Sequence, residues 1–408
     1  MLGRGAIGSG RLEGSRSGDP ARIPATFQAP LTCVLYNPGV MPPRAAPDRR
    51  AAPYRRRRLI ALVGLGVVVA GLIVVMSSPS HRSSPRRAQS AARARSPHRS
   101  AAHPHAATPA LSLAGIPTGR WTSLAQSSAP RGEVSAARIG NVVYVVGGFD
   151  STDHTTGLVQ RLDLVSGRWR TVTPLPQPLN HMSAVGYRGD LYVVGGYSQL
   201  SDTSTGAVSR FWRYDPATGG WHAMPDAPVM RAAAGAAVLG HRLYVAGGRN
   251  DTTAALSSLA IYDFDTGRWS LGPSLAHARE HVAAVAAGGA VWLLGGRVSG
   301  VGVTYVERYR PGATAWQQMS PLPVARSGFQ AVSVGQFILA VGGENGASMV
   351  PEVDRLDLRT DRWSRVGDLP VPRHGLGLVA DGPLVFAIDG GPAPGLTMSR
   401  VVQRLRVG

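Results

Sequence analysis

Two landmarks recur in step along most of the chain. A glycine-pair slot falls at positions 147, 195, 247, 295, 342 and 389, and a tryptophan slot at 121, 169, 221, 269, 316 and 363. Both series advance by 48, 52, 48, 47 and 47 residues. Unrelated residue types that drift by the same increments mean one unit copied along the chain. A period near fifty residues restricts the fold to a propeller, a solenoid or an array.

Within one unit, alternating and β-branched runs predict four strands. In the first full unit they cover 134–139, 142–146, 158–164 and 169–172, with turn signals at Gly140-Asn141 and Ser166-Gly167. The ends of the array are informative. Trp121 occupies a tryptophan slot with no three strands before it. The last unit has strands near 375–380, 384–388 and 400–407 and then no tryptophan. Residues 121–124 are therefore expected to supply the missing outer strand of the last unit, which joins both ends and removes a free sheet edge.

The repeated motifs are YVVGG at 144–148 and 192–196, YVAGG at 244–248, WLLGG at 292–296 and LAVGG at 339–343, with YDPATGGW at 214–221 and YDFDTGRW at 262–269. They resemble the kelch repeat. The resemblance covers roughly 120–408 and implies an all-β, six-bladed propeller over 116–408. Two positions depart from the pattern. Asp389 stands in the first-glycine slot of blade 6, and Leu179 stands in blade 2 where the other blades carry an arginine sixteen residues before the glycine pair.

In propellers of this family the start of the innermost strand and the loop after the glycine pair surround one mouth of the central channel. The resemblance therefore places Arg231, Arg279, Arg326 and Arg373 (with Arg131), His181 and His281, and the loop residues Arg249, Asn250 and Arg297 at a candidate ligand-binding rim. Guanidinium groups suit carboxylate and sulfate-like anions, and partner-binding kelch propellers often read acidic peptides this way. The bland alternative is that each repeated arginine ties neighbouring loops together. His181, His281 and His374 fall in alternate blades, which suggests a metal, but a six-bladed channel is wide and His374 is one residue out of register, so no metal or other cofactor is expected. The propeller has no cysteine, which excludes a copper-radical oxidase. An extracytoplasmic epimerase or mutarotase of the sialic-acid type remains the enzymatic alternative. It would use Glu133, Glu280 or Glu344 as acid/base with Arg231 or Arg279 beside it. The leading reading is a non-enzymatic module, without catalytic residues, that binds a protein or polysaccharide.

The segment before the repeats reads differently. Residues 1–115 hold 17 Arg against 3 acids, and 116–408 hold 26 against 21, so the net charge of +19 belongs mostly to the leader. A basic folded domain is not implied, and no nucleic-acid partner is expected. Residues 1–40 read as disordered, and Met41 is an alternative start. Residues 59–76 are uncharged and apolar, about 27 Å as a helix, enough to cross a bilayer core. The seven arginines between 41 and 58 favour a cytoplasmic N-terminus. Residues 77–115, rich in Ser, Pro, Arg and His, read as an unfolded linker. The expected arrangement is a single-pass cell-membrane protein with a monomeric propeller outside, facing a protein or acidic polymer at the surface. Cleavage and secretion are the alternative.

Overall fold

The computed structural model describes residues 112–198, 206–251 and 255–408. Regular structure among them is all strand, and no helix there is long and apolar enough to cross a membrane. The expectations for 1–40, 41–58 and 59–76, and for the linker up to 111, lie outside the described residues.

Six four-stranded antiparallel sheets form the blades of a propeller. Blade 1 runs Ser135–Ile139, Val142–Val146, Val159–Asp163 and Trp169–Val172. Blade 2 runs Ser183–Tyr187, Asp190–Val194, Phe211–Asp215 and Gly220–Ala223. Blade 3 runs Gly235–Leu239, Arg242–Ala246, Leu259–Asp263 and Arg268–Gly272. Blade 4 runs Ala283–Ala287, Ala290–Leu294, Val306–Tyr309 and Gln317–Gln318. Blade 5 runs Gln330–Val334, Phe337–Val341, Glu352–Asp357 and Arg362–Asp368.

Blade 6 takes three strands from the end of the repeat array, Gly377–Asp381, Leu384–Ile388 and Val402–Arg406, and its outer strand from Trp121–Ser123. Trp121 lies opposite Leu405 and Ser123 opposite Gln403. The ring thus closes as the repeat ends require. The folded body begins slightly before 116, since Leu113 packs with Ile116 between blades 6 and 1 and Arg406 Nη1 donates to the carbonyls of both, at 3.2 and 3.1 Å.

The second strands are apolar on both faces because each blade is covered on both sides. Six hydrophobic clusters lie between successive blades, with no single central core. The inner strands carry Gly and Ala, so they approach closely. A Cβ on Gly235 would stand 2.7 Å from the Ala284 methyl of the next blade, and one on Gly377 2.7 Å from Ala136. The tryptophan slot is half-buried at the blade edge. Each indole from Trp169 to Trp363 donates to a carbonyl of the preceding blade, for example Trp269 to Pro225 at 2.8 Å.

Small inner strands also let the backbone close around the channel. Two residues after each anchor position the chain is left-handed, with φ of +53° at Glu133, +52° at His181, +52° at Ala233, +53° at His281, +61° at Gly328 and +55° at Gly375. From His181 round to Gly375, each of these N–H groups donates to its counterpart carbonyl in the preceding blade, at 2.7–3.2 Å, and Val134 N–H completes the circle on Gly375 at 3.1 Å. This girdle sets the narrow bore that the candidate site faces.

Candidate functional site

The repeated arginines turn inward, away from the channel mouth. Arg131, Arg231, Arg279, Arg326 and Arg373 are each at most 1% exposed. Each ties the end of its blade's second strand to the start of the third. Arg231 Nη1 donates to the carbonyls of Val245, Gly247 and Ser258 at 3.2, 3.0 and 3.0 Å. Arg373 Nη1 does the same to Asp389 and Val401 at 2.9 and 2.6 Å. Arg279 pairs with buried Glu307, and Arg326 with buried Asp354. Burial pushes the Arg231 and Arg373 guanidiniums down to about 10, which leaves them charged at neutral pH. Four rim candidates (Arg231, Arg279, Arg326 and Arg373) are therefore scaffold, because an inward guanidinium satisfies carbonyls that no water reaches. Arg231 and Arg279 likewise cannot stand beside a substrate.

The two departures fit the same logic. In blade 2, Leu179 is fully buried in the cluster shared with blade 1, and the third-strand position that holds Glu307 or Asp354 elsewhere is Trp212. In blade 6, Asp389 takes the left-handed glycine position (φ +54°) and binds Ser127 Oγ at 2.6 Å and Arg131 Nη2 at 3.2 Å. It fastens blade 6 to the start of blade 1 at the ring closure. Burial raises its carboxyl to about 6, with Arg131 opposing.

The mouth is built from slots whose residues vary around the ring. The residue after each anchor position bridges to the residue after each glycine pair: Gly132 with Phe149, Asn180 with Tyr197, Ala232 with Arg249, Glu280 with Arg297, Ser327 with Glu344, and His374 with Gly391. Phe149, Asn180, Tyr197, Arg297, Glu344 and His374 from these slots, with the left-handed ring residues Glu133, His181 and His281, line a cavity of about 110 Å³ that also touches Leu396. The channel is not too wide for the histidines. The rings of His181 and His281 lie 4.7 Å apart, centroid to centroid, at 75°. His374, one residue out of register, turns instead to Glu133, with Nδ1 3.0 Å from Oε1.

Charges at the mouth are paired in a chain. Glu133 Oε2 lies 3.1 Å from His181 Nε2. His374 Nε2 donates to the Ala393 carbonyl at 3.0 Å. His281 Nδ1 contacts Glu280 Oε2, and Arg297 Nε donates to Glu280 Oε1 at 2.7 Å, with Nη1 3.5 Å from Glu344. Burial pushes the Glu133 carboxyl up, but His181 and His374 more than reverse this and hold it well below the usual range. Glu280 is similarly held at about 2 against its burial by His281 and Arg297. Burial pushes His181 down to about 4, and Glu133 only partly opposes it. His374 goes up to about 9, since the Glu133 hydrogen bond and charge outweigh its burial. Three carboxylates thus face Arg297 and a charged His374, and this cavity is not the anion-binding mouth the arginine count suggests.

Arg249 and Asn250 are half-buried on the next loop. Arg249 makes no ion pair or side-chain hydrogen bond among the described residues, and its Nε is buried without a partner. It borders a second, larger pocket of about 420 Å³, lined by Ala255, Ala278, Glu280, Val298, Ser299 and Gly300. A hairpin pairing Arg297–Val298 with Val301–Gly302 carries two outward valines there, Val298 and Val301, 37% and 65% exposed. Sequence reasoning missed Asn180, Leu396 and these valines. Their signal is a slot that changes identity from blade to blade.

A family match agrees with this architecture. The KLHDC2/KLHL20/DRC7 Kelch-repeats domain matches residues 105–296 and again 223–391, together well over half of the chain. No curated protein sequence matches it.

Proposed function

Because the chain belongs to the kelch-repeat family, we propose that its propeller is a protein-binding module whose partner docks on the channel-mouth face. The observation that carries this is the Val298/Val301 hairpin beside Arg249, an exposed apolar pair next to a cation with no ion-pair partner among the described residues. Met230, 51% exposed, lies on the same face, just before Arg231. The opposite face offers two-residue turns between inner and second strands, whereas the described connections on the mouth face are longer, such as 147–158 between Val146 and Val159. Loops on a rigid scaffold are where such folds place recognition. The partner chemistry this suits is a segment with an apolar side chain flanked by a carboxylate.

The test is capture from surface extract with the full chain, comparing wild type with Arg249→Ala/Val301→Asp and with Val165→Asp in a third-to-outer strand turn of the opposite face. A protein retained by wild type and Val165→Asp but lost by the mouth variant supports the reading. Equal retention by all three contradicts it.

One observation favours an enzyme. Glu280, which lines the pocket of about 420 Å³, and Arg297 approach to 2.7 Å. Against it stands the pairing itself, since His281 and Arg297 already occupy the Glu280 carboxylate and hold it ionised. Anomer exchange on sialic-acid-type sugars, abolished by Glu280→Gln, would establish that reading.

We further propose that residues 59–76 anchor the chain and leave the propeller outside the cytoplasm. The uncharged apolar run of bilayer length and its arginine-rich N-terminal flank support this. Protease added to intact cells should remove the propeller; a fully protected propeller contradicts the placement.

A further inference from the structure

The geometry points to a second kind of ligand in the bore, and we propose that Glu133, His181 and His281 bind one divalent transition-metal ion of the zinc class. One ligand atom from each lies within 4.8 Å of the others. His181 Nε2 and Glu133 Oε2, 3.1 Å apart, are spaced as neighbours in the shell of an ion with bonds of about 2.1 Å. Bonds of that length span at most about 4.2 Å, so a pair at the 4.8 Å limit closes by roughly half an ångström on loading. Imidazole and carboxylate together suit zinc and its late first-row neighbours.

The surroundings of the two rings support the same assignment. A metal-bound imidazole ordinarily gives its other N–H to a fixed oxygen. Here each ring does so to the residue just before it. His181 Nδ1 donates to Asn180 Oδ1 at 2.6 Å, and His281 Nδ1 donates to Glu280. Asn180 is itself held by its Nδ2 on Thr155 Oγ1 at 2.7 Å, and Glu280 by Arg297. Both Nε2 lone pairs are thereby turned inward. For His181 that nitrogen faces the Glu133 carboxylate at 3.1 Å, and with Nδ1 carrying the ring's hydrogen a cation fits between them. Glu133 Oε1 accepts from His374 Nδ1 at 3.0 Å, which leaves Oε2 for the ion.

The backbone adds an independent point. The three residues share the left-handed slot, where glycine is least strained and where blades 3, 5 and 6 carry Ala233, Gly328 and Gly375. Bulky side chains occupy it only where they converge. Arg297 is the competitor. Its Nη2 lies 3.3 Å from His281 Nε2, so the ion takes that nitrogen only as the guanidinium withdraws toward Glu344.

The experiment equilibrates the full chain, purified by a histidine-free tag, with zinc chloride, then desalts it and counts bound zinc by mass spectrometry. Wild type should hold one equivalent. The double variant His181→Ala/His281→Ala should hold less than a tenth of that, and Arg297→Gln should bind more tightly than wild type. Asn180→Ala, which keeps all three ligands, should weaken binding by about 10–100-fold and keeps the test readable should the ligand variants fail to fold. An equivalent that survives in the double variant belongs to histidines elsewhere, such as His98, His103 and His105, and overturns the proposal. So does wild type without zinc, even if Arg297→Gln binds it, or Arg297→Gln binding no more tightly than wild type.

Discussion

Replacing Arg279 by leucine separates a structural arginine from a binding one. Arg279 is fully buried, and its guanidinium donates to the carbonyls of Gly295 at 2.9 Å, His277 at 2.9 Å and Leu293 at 3.2 Å, and to Glu307. Leucine fills part of the space but leaves the 1% exposed Glu307 carboxylate without its counter-charge. Breaking a buried pair from one side costs about 3–5 kcal/mol. For a domain of this size that is a fall in melting temperature on the order of 10 °C. The double variant Arg279→Leu/Glu307→Leu removes both charges, as Leu179 and Trp212 do in blade 2. It should recover the part of the loss that comes from the unpaired carboxylate, because apolar replacement of a whole buried pair is close to neutral, while the carbonyls of Gly295, His277 and Leu293 stay without their donor. Thermal melts of wild type, both single variants and the double variant form a cycle. A single-variant cost below about 1 kcal/mol, or simple additivity, would refute the scaffold assignment.

Two other outcomes follow from the same geometry. Removing residues 116–125 deletes the outer strand of blade 6 and exposes the edge of Val402–Arg406; the melting temperature should fall sharply, and an unchanged value contradicts the closure. His374, raised to about 9 in the fold, contributes stability that is complete below its unfolded value near 6.5 and is lost as pH rises through 9. Denaturant melts at pH 6 and pH 10 should show wild type losing on the order of 3 kcal/mol that His374→Gln never had; equal slopes would contradict the Glu133 pairing.

Much of the fold was legible because a repeat reports itself many times. The strands at 142–146 and 384–388 and the closing partnership of Trp121 with the last unit follow from the spacing of two residue types. The anchor arginines were harder. A guanidinium beside a loop reads equally as a rim cation or an inward tie, and only its exact lockstep with the glycine pair marks it as scaffold. Residues repeated in every blade serve what every blade needs, namely Arg279 on Gly295 or Trp269 on Pro225. The candidate site falls in slots that change, where Asn180, Glu280 and His374 occupy one position in three blades. The meeting of His181 with His281 was not legible, because bore width depends on how closely Gly235 and Ala284 let inner strands approach.

Which face does the recognition is decided most directly by a footprint. Hydrogen–deuterium exchange of the full chain, alone and with its captured partner, reports protection peptide by peptide. Protection is predicted in the mouth loops, at 149–158, 255–258 and 297–302, with the turns at 140–141, 188–189 and 240–241 unchanged. Protection confined to those turns, or to the outer strands, would contradict a partner seated on the channel mouth.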